Sequence, residues 1–238
     1  MLDKFKDVIE KTFGRKVFLK IKLLKNLFKS YDNKYYSQFG EDVILRVLIG
    51  DQPKKGFYVD VGSYHPRHLS NTFYFYKKGW SGINIDPNPN AINLFNFLRK
   101  RDKNVNFAIS ANGGEASFHS WDSVYDTISE TEADEMRRRI GPEKEVYKIK
   151  TERLENILDK YLPAGQNIDF LNVDAEGCDL EVLKSNNWQK YRPRFIVVEE
   201  HNTNVDEIVN SEKVKLLDSV GYKLVSWTLL SLFFARKN

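Results

Sequence analysis

What most constrains this chain is a series of short apolar runs, most of them stopping at a polar group, with helical patterns between them. The runs lie at 56–61, 82–86, 105–110, 169–174, 194–199, 222–227 and 229–235. Amphipathic helical patterns occupy 68–78, 91–100, 154–161 and 180–185. Short apolar strands interleaved with helices predict a parallel sheet covered on both faces. The last two runs are separated by about one residue near Thr228, which demands a tight antiparallel hairpin at one edge. The expected fold is therefore α/β: a Rossmann-like, mostly parallel seven-stranded sheet with an antiparallel edge hairpin and helices on both faces.

A sheet of this kind binds ligands beyond the carboxyl ends of its strands, where strand order reverses. The residues at those ends are Asp60-Val61-Gly62-Ser63, Asp86-Pro87-Asn88, Ser110, Asp174-Ala175-Glu176-Gly177 and Glu199-Glu200-His201. So many carboxylates are not needed to close a sheet, and they imply a ligand. Gly62 lets backbone approach a ligand after the first strand. Asp86, at the end of the second, can accept both hydroxyls of a ribose. A pyrophosphate would require a glycine-rich turn leading into a helix. Here Gly62 is followed by Ser63, Tyr64, His65 and Pro66. The pattern suits a nucleoside cofactor without phosphates, such as S-adenosylmethionine, and suits NAD poorly.

Composition excludes several classes. The net charge of +4 is concentrated in residues 1–30, where Lys4, Lys6, Lys11, Arg15, Lys16, Lys20, Lys22, Lys25 and Lys29 face only Asp3, Asp7 and Glu10. The rest is close to neutral, so a nucleic-acid binder is not expected. In residues 1–34 the apolar positions recur at helical spacing around Gly14, predicting a basic amphipathic helical extension. It would pack on the main domain or on a partner subunit in a homo-oligomer, or lie on an anionic membrane surface. No apolar run is long enough to cross a bilayer. Lysines interrupt the first apolar segment, so no secretory signal is read there. The single cysteine, Cys178, leaves no internal disulfide, and a cytoplasmic location is expected.

Four segments resemble the FkbM family of S-adenosylmethionine-dependent methyltransferases. They are Tyr36-Ser37-Gln38-Phe39-Gly40-Glu41-Asp42, Tyr58-Val59-Asp60-Val61-Gly62-Ser63, the pair Ser70-Asn71-Thr72 and Gly79 to Pro87, and Asp169 to Gly177 with Glu181-Val182-Leu183. The resemblance implies a class I methyltransferase domain over residues 35–238 and methyl transfer to an oxygen. The cofactor residues it suggests are Ser37, Gln38, Asp60, Gly62, Ser63, Tyr64, Asn71, Asp86 and Pro87, with Ser110 near the adenine. There are two departures: His65-Pro66 replaces a usual second glycine, and Asp86 stands where the family often has Glu. Residues 1–30 and 111–150 fall outside the match, so substrate choice is not carried over. An acid-rich helix start is the structural alternative for Gln38, Glu41 and Asp42.

Methyl transfer to a hydroxyl needs an acceptor held in line and relieved of its proton. Asp174, Glu199 and His201 end neighbouring strands and form the expected catalytic set. They could bind Mg²⁺ or Mn²⁺, or His201 could act directly as base. A salt bridge from Glu199 or Glu200 to Arg194 is the structural alternative. Glu176 and Asp179 read as caps of the next helix, and Cys178 as buried and inert.

Residues 111–150 read as an acceptor lid. Trp121, Asp122, Tyr125 and Thr127 precede a charged helix carrying Arg137, Arg138 and Arg139. Aromatic rings suit sugars and arginines suit phosphate, so a nucleotide-linked sugar or glycan precursor of surface polysaccharide is the expected acceptor. The alternative for the arginines is a solvated helix face. Two other readings remain: O- or N-methylation of a small secondary metabolite, and a non-catalytic nucleoside-binding module.

Overall fold

The computed structural model describes residues 34–50, 55–201 and 204–237, together with Gly14 and Arg15. The helices expected within residues 1–30 lie outside the described residues. From Tyr35 onward the chain forms one unit.

Its strands are β1 (Phe57–Val61), β2 (Ser81–Asp86), β3 (Lys103–Asn106), β4 (Ala108–Ile109), β5 (Gly114–Ser120), β6 (Glu145–Glu152), β7 (Phe170–Val173), β8 (Phe195–Glu199), β9 (Tyr222–Trp227) and β10 (Ser231–Arg236). Its helices are α1 (Glu41–Ile49), α2 (Phe73–Lys77), α3 (Pro89–Leu98), α4 (Glu130–Ile140), α5 (Leu154–Tyr161), α6 (Asp179–Lys184), α7 (Val205–Asn210) and α8 (Glu212–Ser219).

The main sheet has seven strands in the order β3-β2-β1-β7-β8-β10-β9. Strands β3, β2, β1, β7 and β8 run parallel, and β10 runs antiparallel to both of its neighbours. This is the Rossmann-like sheet with an antiparallel edge hairpin that the sequence predicts. The chain leaves β1 on one side through β2 and returns on its other side at β7, which makes the ends of β1 and β7 the switch point. In register, Asp60 of β1 sits opposite Asn172 of β7 and Asn84 of β2.

Both faces of the sheet are covered, as near-continuous apolar strands require. Alternate residues separate the two sides. Val59, Val61, Ile83, Ile85, Leu171, Val173 and Ile196 pack with Leu154, Ile157 and Leu158 of α5. Tyr58, Phe170, Phe195, Val197 and Phe233 pack with Leu45 and Ile49 of α1, and with Phe75 and Trp80. Gly82 belongs under this second layer, because a Cβ there would stand 2.2 Å from the Tyr58 ring.

Three expectations need correction. The run 105–110 is not one strand: β3 joins the main sheet, Phe107 intervenes, and β4 joins a separate three-stranded sheet ordered β4-β6-β5. Asn106 marks the break, its amide donating to the carbonyls of Asp86 and Pro87. Strands β5 and β6 of this second sheet flank the expected insert, and their mostly polar residues gave no apolar run to read. The helix expected at 68–78 spans only Phe73–Lys77. Leu69 has a positive φ and the Ser70 hydroxyl accepts from Phe73 N–H, so the chain turns before the helix starts. The closing hairpin has a longer link than expected, with Thr228 N–H bonding to the Ser231 carbonyl. Among the described residues no helix is long and apolar enough to cross a membrane.

Candidate active site

A cavity of about 640 Å³ opens at the carboxyl ends of β1, β2 and β7. The loop after β1 forms one wall. Gly62 N–H and Ser63 N–H both donate to the Ile85 carbonyl, at 3.0 and 3.2 Å. Tyr64 N–H donates to Asp86 at 2.7 Å. His65 N–H turns back to the Ser63 carbonyl. These N–H groups are consumed within the protein, so the loop has none of them to offer a pyrophosphate, whereas a phosphate-free nucleoside cofactor needs none.

Gly62 has a tighter reason than ligand approach. Its φ is +76°, and a Cβ would stand 1.6 Å from the Asp174 carbonyl oxygen. The close approach it allows is that of the β7 end, which locks the loop to the neighbouring strand.

Asp86 lines the cavity with both carboxyl oxygens anchored, one by Tyr64 N–H and the other by Asn88 N–H. Each oxygen keeps a second lone pair for a ribose hydroxyl. Burial pushes its carboxyl up to about 6, against the lowering effect of those two bonds.

The floor of the cavity is a chain of polar side chains. Asn71 donates to Asn172, Asn172 donates to Asp60, and the Thr72 hydroxyl donates to the other Asp60 oxygen. Asp60 is thereby engaged inside the protein, and burial raises its carboxyl above the usual range. Beneath it lies Arg99, fully buried, donating to the Pro66 carbonyl, Tyr58, Thr72 and Ser70.

Gln38, Asp60, Gly62, Ser63, Tyr64, Asn71, Asp86, Pro87, Asp174, Glu199 and His201 all line the cavity. Ser37 and Ser110 do not. Ser37 is buried against Asp42 at the start of α1, so the segment 36–42 serves as a helix start and reaches the cavity through Gln38. Ser110 follows β4 of the second sheet, its hydroxyl accepting from Gly113 N–H, while Ala108 and Ile109 face the cavity.

At the ends of β7 and β8 three carboxylates converge. Oxygens of Asp174, Glu176 and Glu199 lie within 4.8 Å of one another, close enough to hold one ion. Burial, then the charges of Glu199, Glu176 and Asp179, holds Asp174 well above the usual carboxylate range. Glu176 is pushed up to about 8 by burial and by Glu199 and Asp179. His201 does not join this set. Its Nε2 lies 3.4 Å from Glu199 Oε1, and that partner lifts the imidazole to about 9 against partial burial.

Glu176 is the residue that sequence reasoning missed. It reads as a helix cap, but α6 starts after Cys178 with no side-chain cap, and Glu176 takes a positive φ before Gly177 and faces the cavity. Asn172 was missed too, although a polar residue inside a buried strand was a usable signal. Cys178 is buried, its thiol pushed up to about 12, chiefly by desolvation.

Residues 121–128 and α4 cover the opposite wall. The Thr127 hydroxyl donates to the Glu176 carbonyl, tying this segment to the β7 end. Tyr125, Asp122, Asp126 and Thr127 line the cavity, but Trp121 packs with Ala133 and Met136 instead. Of the three arginines only Arg139 faces the cavity, its guanidinium 5.7 Å from the Tyr125 ring. Arg137 is held by Glu143, Asp134 and His119.

The sequence matches the model of the family described as the methyltransferase FkbM domain over residues 60–224. A search of curated protein sequences finds no significant match. Among solved structures, the chain bears a distant likeness to a TehB-like SAM-dependent methyltransferase from Corynebacterium glutamicum: 12% identity, 92% of this chain, 96% of that one and a TM-score of 0.42. A 1,6-didemethyltoxoflavin-N1-methyltransferase from Burkholderia thailandensis is similar at 11% identity, over 83% of this chain and 77% of that one, with a TM-score of 0.44. A precorrin-6y C5,15-methyltransferase from Geobacter metallireducens is similar at 10% identity, over 83% and 87%, with a TM-score of 0.43. The family match spans most of the chain, including the loop after β1, Asp86 and the acidic ends of β7 and β8, and the chain belongs to the FkbM family of S-adenosylmethionine-dependent methyltransferases.

Proposed function

We propose that the chain methylates a hydroxyl oxygen of a sugar, carried on a nucleotide or a glycan precursor of surface polysaccharide. The observation that carries this reading is the set of groups lining the cavity beside the loop after β1: Asp174, Glu176, Glu199 and His201 on one wall, Tyr125 and Arg139 on the other. Carboxylates and an imidazole suit a polyhydroxyl acceptor, an aromatic ring suits a sugar face, and a guanidinium suits phosphate.

Bound S-adenosylmethionine supplies a methyl group already activated on a sulfonium. Asp86 would hold the ribose, and the loop Gly62–Tyr64 would line the cofactor's place in the cavity. The acidic wall orients the acceptor hydroxyl towards the methyl carbon. His201, paired with Glu199, takes the acceptor proton as the carbon–oxygen bond forms and the carbon–sulfur bond breaks, its electron pair staying on sulfur.

The test is methyl incorporation from labelled S-adenosylmethionine into a panel of nucleotide sugars and short glycans, beside phenols and amines. Transfer to the carbohydrates is expected. Transfer confined to phenols or amines overturns the acceptor class and leaves the cofactor reading intact.

A further inference from the structure

We propose that Asp174, Glu176 and Glu199 hold one divalent cation, and that this ion takes two adjacent oxygens of the acceptor, the one to be methylated and its neighbour. The proposal rests on the methyltransferase reading of the cavity and names the kind of acceptor it takes.

The first support is spacing. Ligand oxygens of the three residues lie within 4.8 Å of one another. Oxygens on opposite sides of a hard cation, bonded at ~2.1–2.4 Å, are separated by roughly 4–5 Å. The side chains can therefore close on an ion without backbone movement.

The second support is an unmatched atom. Glu199 is 8% exposed, and its Oε2 has no hydrogen-bond partner. A buried carboxylate oxygen without a donor is costly, and native structures seldom leave one so unless an ion or water completes it. The other Glu199 oxygen faces His201 at 3.4 Å. Neither the Asp174 nor the Glu176 carboxylate accepts a hydrogen bond from the described residues. The nearby ammonium of Lys213 is engaged by Asp179 and by the main-chain carbonyl of Glu199. The charges acting most on Asp174 are all carboxylates: Glu199, Glu176, Asp179 and Asp60. Among the described residues, His201 is the cation that faces a carboxylate oxygen of the three, while Lys213 is committed to Asp179 and the Glu199 main chain.

The donor set points to the ion. Carboxylate oxygens alone favour Mg²⁺ or Mn²⁺ over a softer metal. An octahedral ion with three protein ligands keeps about three open positions. Two vicinal oxygens of a sugar and one water would fill them. A hydroxyl on the ion is more acidic than a free one. Its proton passes to His201, and its oxygen attacks the methyl carbon while sulfur keeps the electron pair of the broken bond.

The test uses the full chain stripped with EDTA and titrated with Mn²⁺, the free ion being read by electron paramagnetic resonance. One Mn²⁺ per chain is expected to bind, at least tenfold more weakly in Glu176→Gln and in Glu199→Gln, with His201→Ala retaining it. Each variant is checked for its thermal transition and for S-adenosylmethionine binding in EDTA, so that a folding defect is not read as loss of a ligand. Absence of Mn²⁺ binding by the wild type overturns the proposal. So does binding that survives Glu176→Gln but is lost in His201→Ala. Because cofactor binding is measured without metal, failure of the methyltransferase reading would appear as loss of S-adenosylmethionine binding in EDTA, whatever Mn²⁺ does.

Discussion

Asp86 shows how a single residue can carry both recognition and a pH response. Its two oxygens are anchored by Tyr64 and Asn88 N–H groups, and the ionised form is the one that accepts from a ribose. Burial raises its carboxyl to about 6, so the ionised form predominates above that value and is lost below it. Affinity for S-adenosylmethionine is expected to fall as pH drops through about 6, and calorimetric titration at several pH values would read it. Asp86→Ala should weaken binding about 10- to 100-fold, the value of hydrogen bonds to a charged group. Asp86→Asn should remove the inflection near pH 6. At the other end of the site, Glu199 lifts His201 to about 9. His201→Ala is expected to lower kcat about 100-fold with S-adenosylmethionine binding retained, as loss of a general base does, and an unchanged kcat would exclude His201 as the base. These residues were legible from their places at strand ends. Glu176 was not, because Asp-Ala-Glu-Gly also reads as a helix start, and only the backbone turn at Glu176 and Gly177 directs that carboxylate to the cavity.

The elements differ in how far their residues announce them. The central strands β1, β2, β7 and β8 are buried on both faces and stand out. The strands of the second sheet carry Lys148, Lys150, Glu115 and Glu145 on exposed positions and leave no periodic apolar signal. The three arginines of α4 look equivalent in one dimension, but the turn of the helix and its neighbours divide them. Arg137 is tied to Glu143 and Asp134, and Arg139 faces the cavity. Arg139→Ala is expected to raise the KM for a phosphate-bearing acceptor about tenfold with kcat retained, from loss of a charge-assisted contact. Arg137→Ala should instead lower thermal stability and leave that KM unchanged. Steady-state kinetics with a nucleotide sugar separates the two, and equal effects on KM would place phosphate elsewhere.

In the whole molecule, one buried guanidinium gathers the segments under the cofactor loop. Arg99, at the end of α3, bonds to residues 58, 66, 70 and 72 and lies 3.7 Å from Asp102. Removing it would leave the loop carbonyl of Pro66 without its guanidinium donor and the buried Asp102 without its counter-cation, held only by Tyr58, Gly82 and Asn84. Arg99→Ala is expected to destabilise the fold by about 3–5 kcal/mol, measured by denaturant unfolding, as breaking buried ion pairs does. Nothing local marks this arginine, which ends an ordinary amphipathic helix among Lys100 and Arg101. The sequence by itself determined the parallel α/β sheet, the phosphate-free loop after β1, and the acidic ends of β1, β2, β7 and β8, because apolar periodicity and strand-end chemistry are local along the chain. Only the tertiary structure decided which acids meet, which arginine sees the cavity, and that Gly62 is required by the neighbouring strand. Those outcomes depend on contacts between segments distant in sequence, such as Gly62 with Asp174 and Asp60 with Asn172. Such contacts exist only once the sheet has brought β1 and β7 side by side.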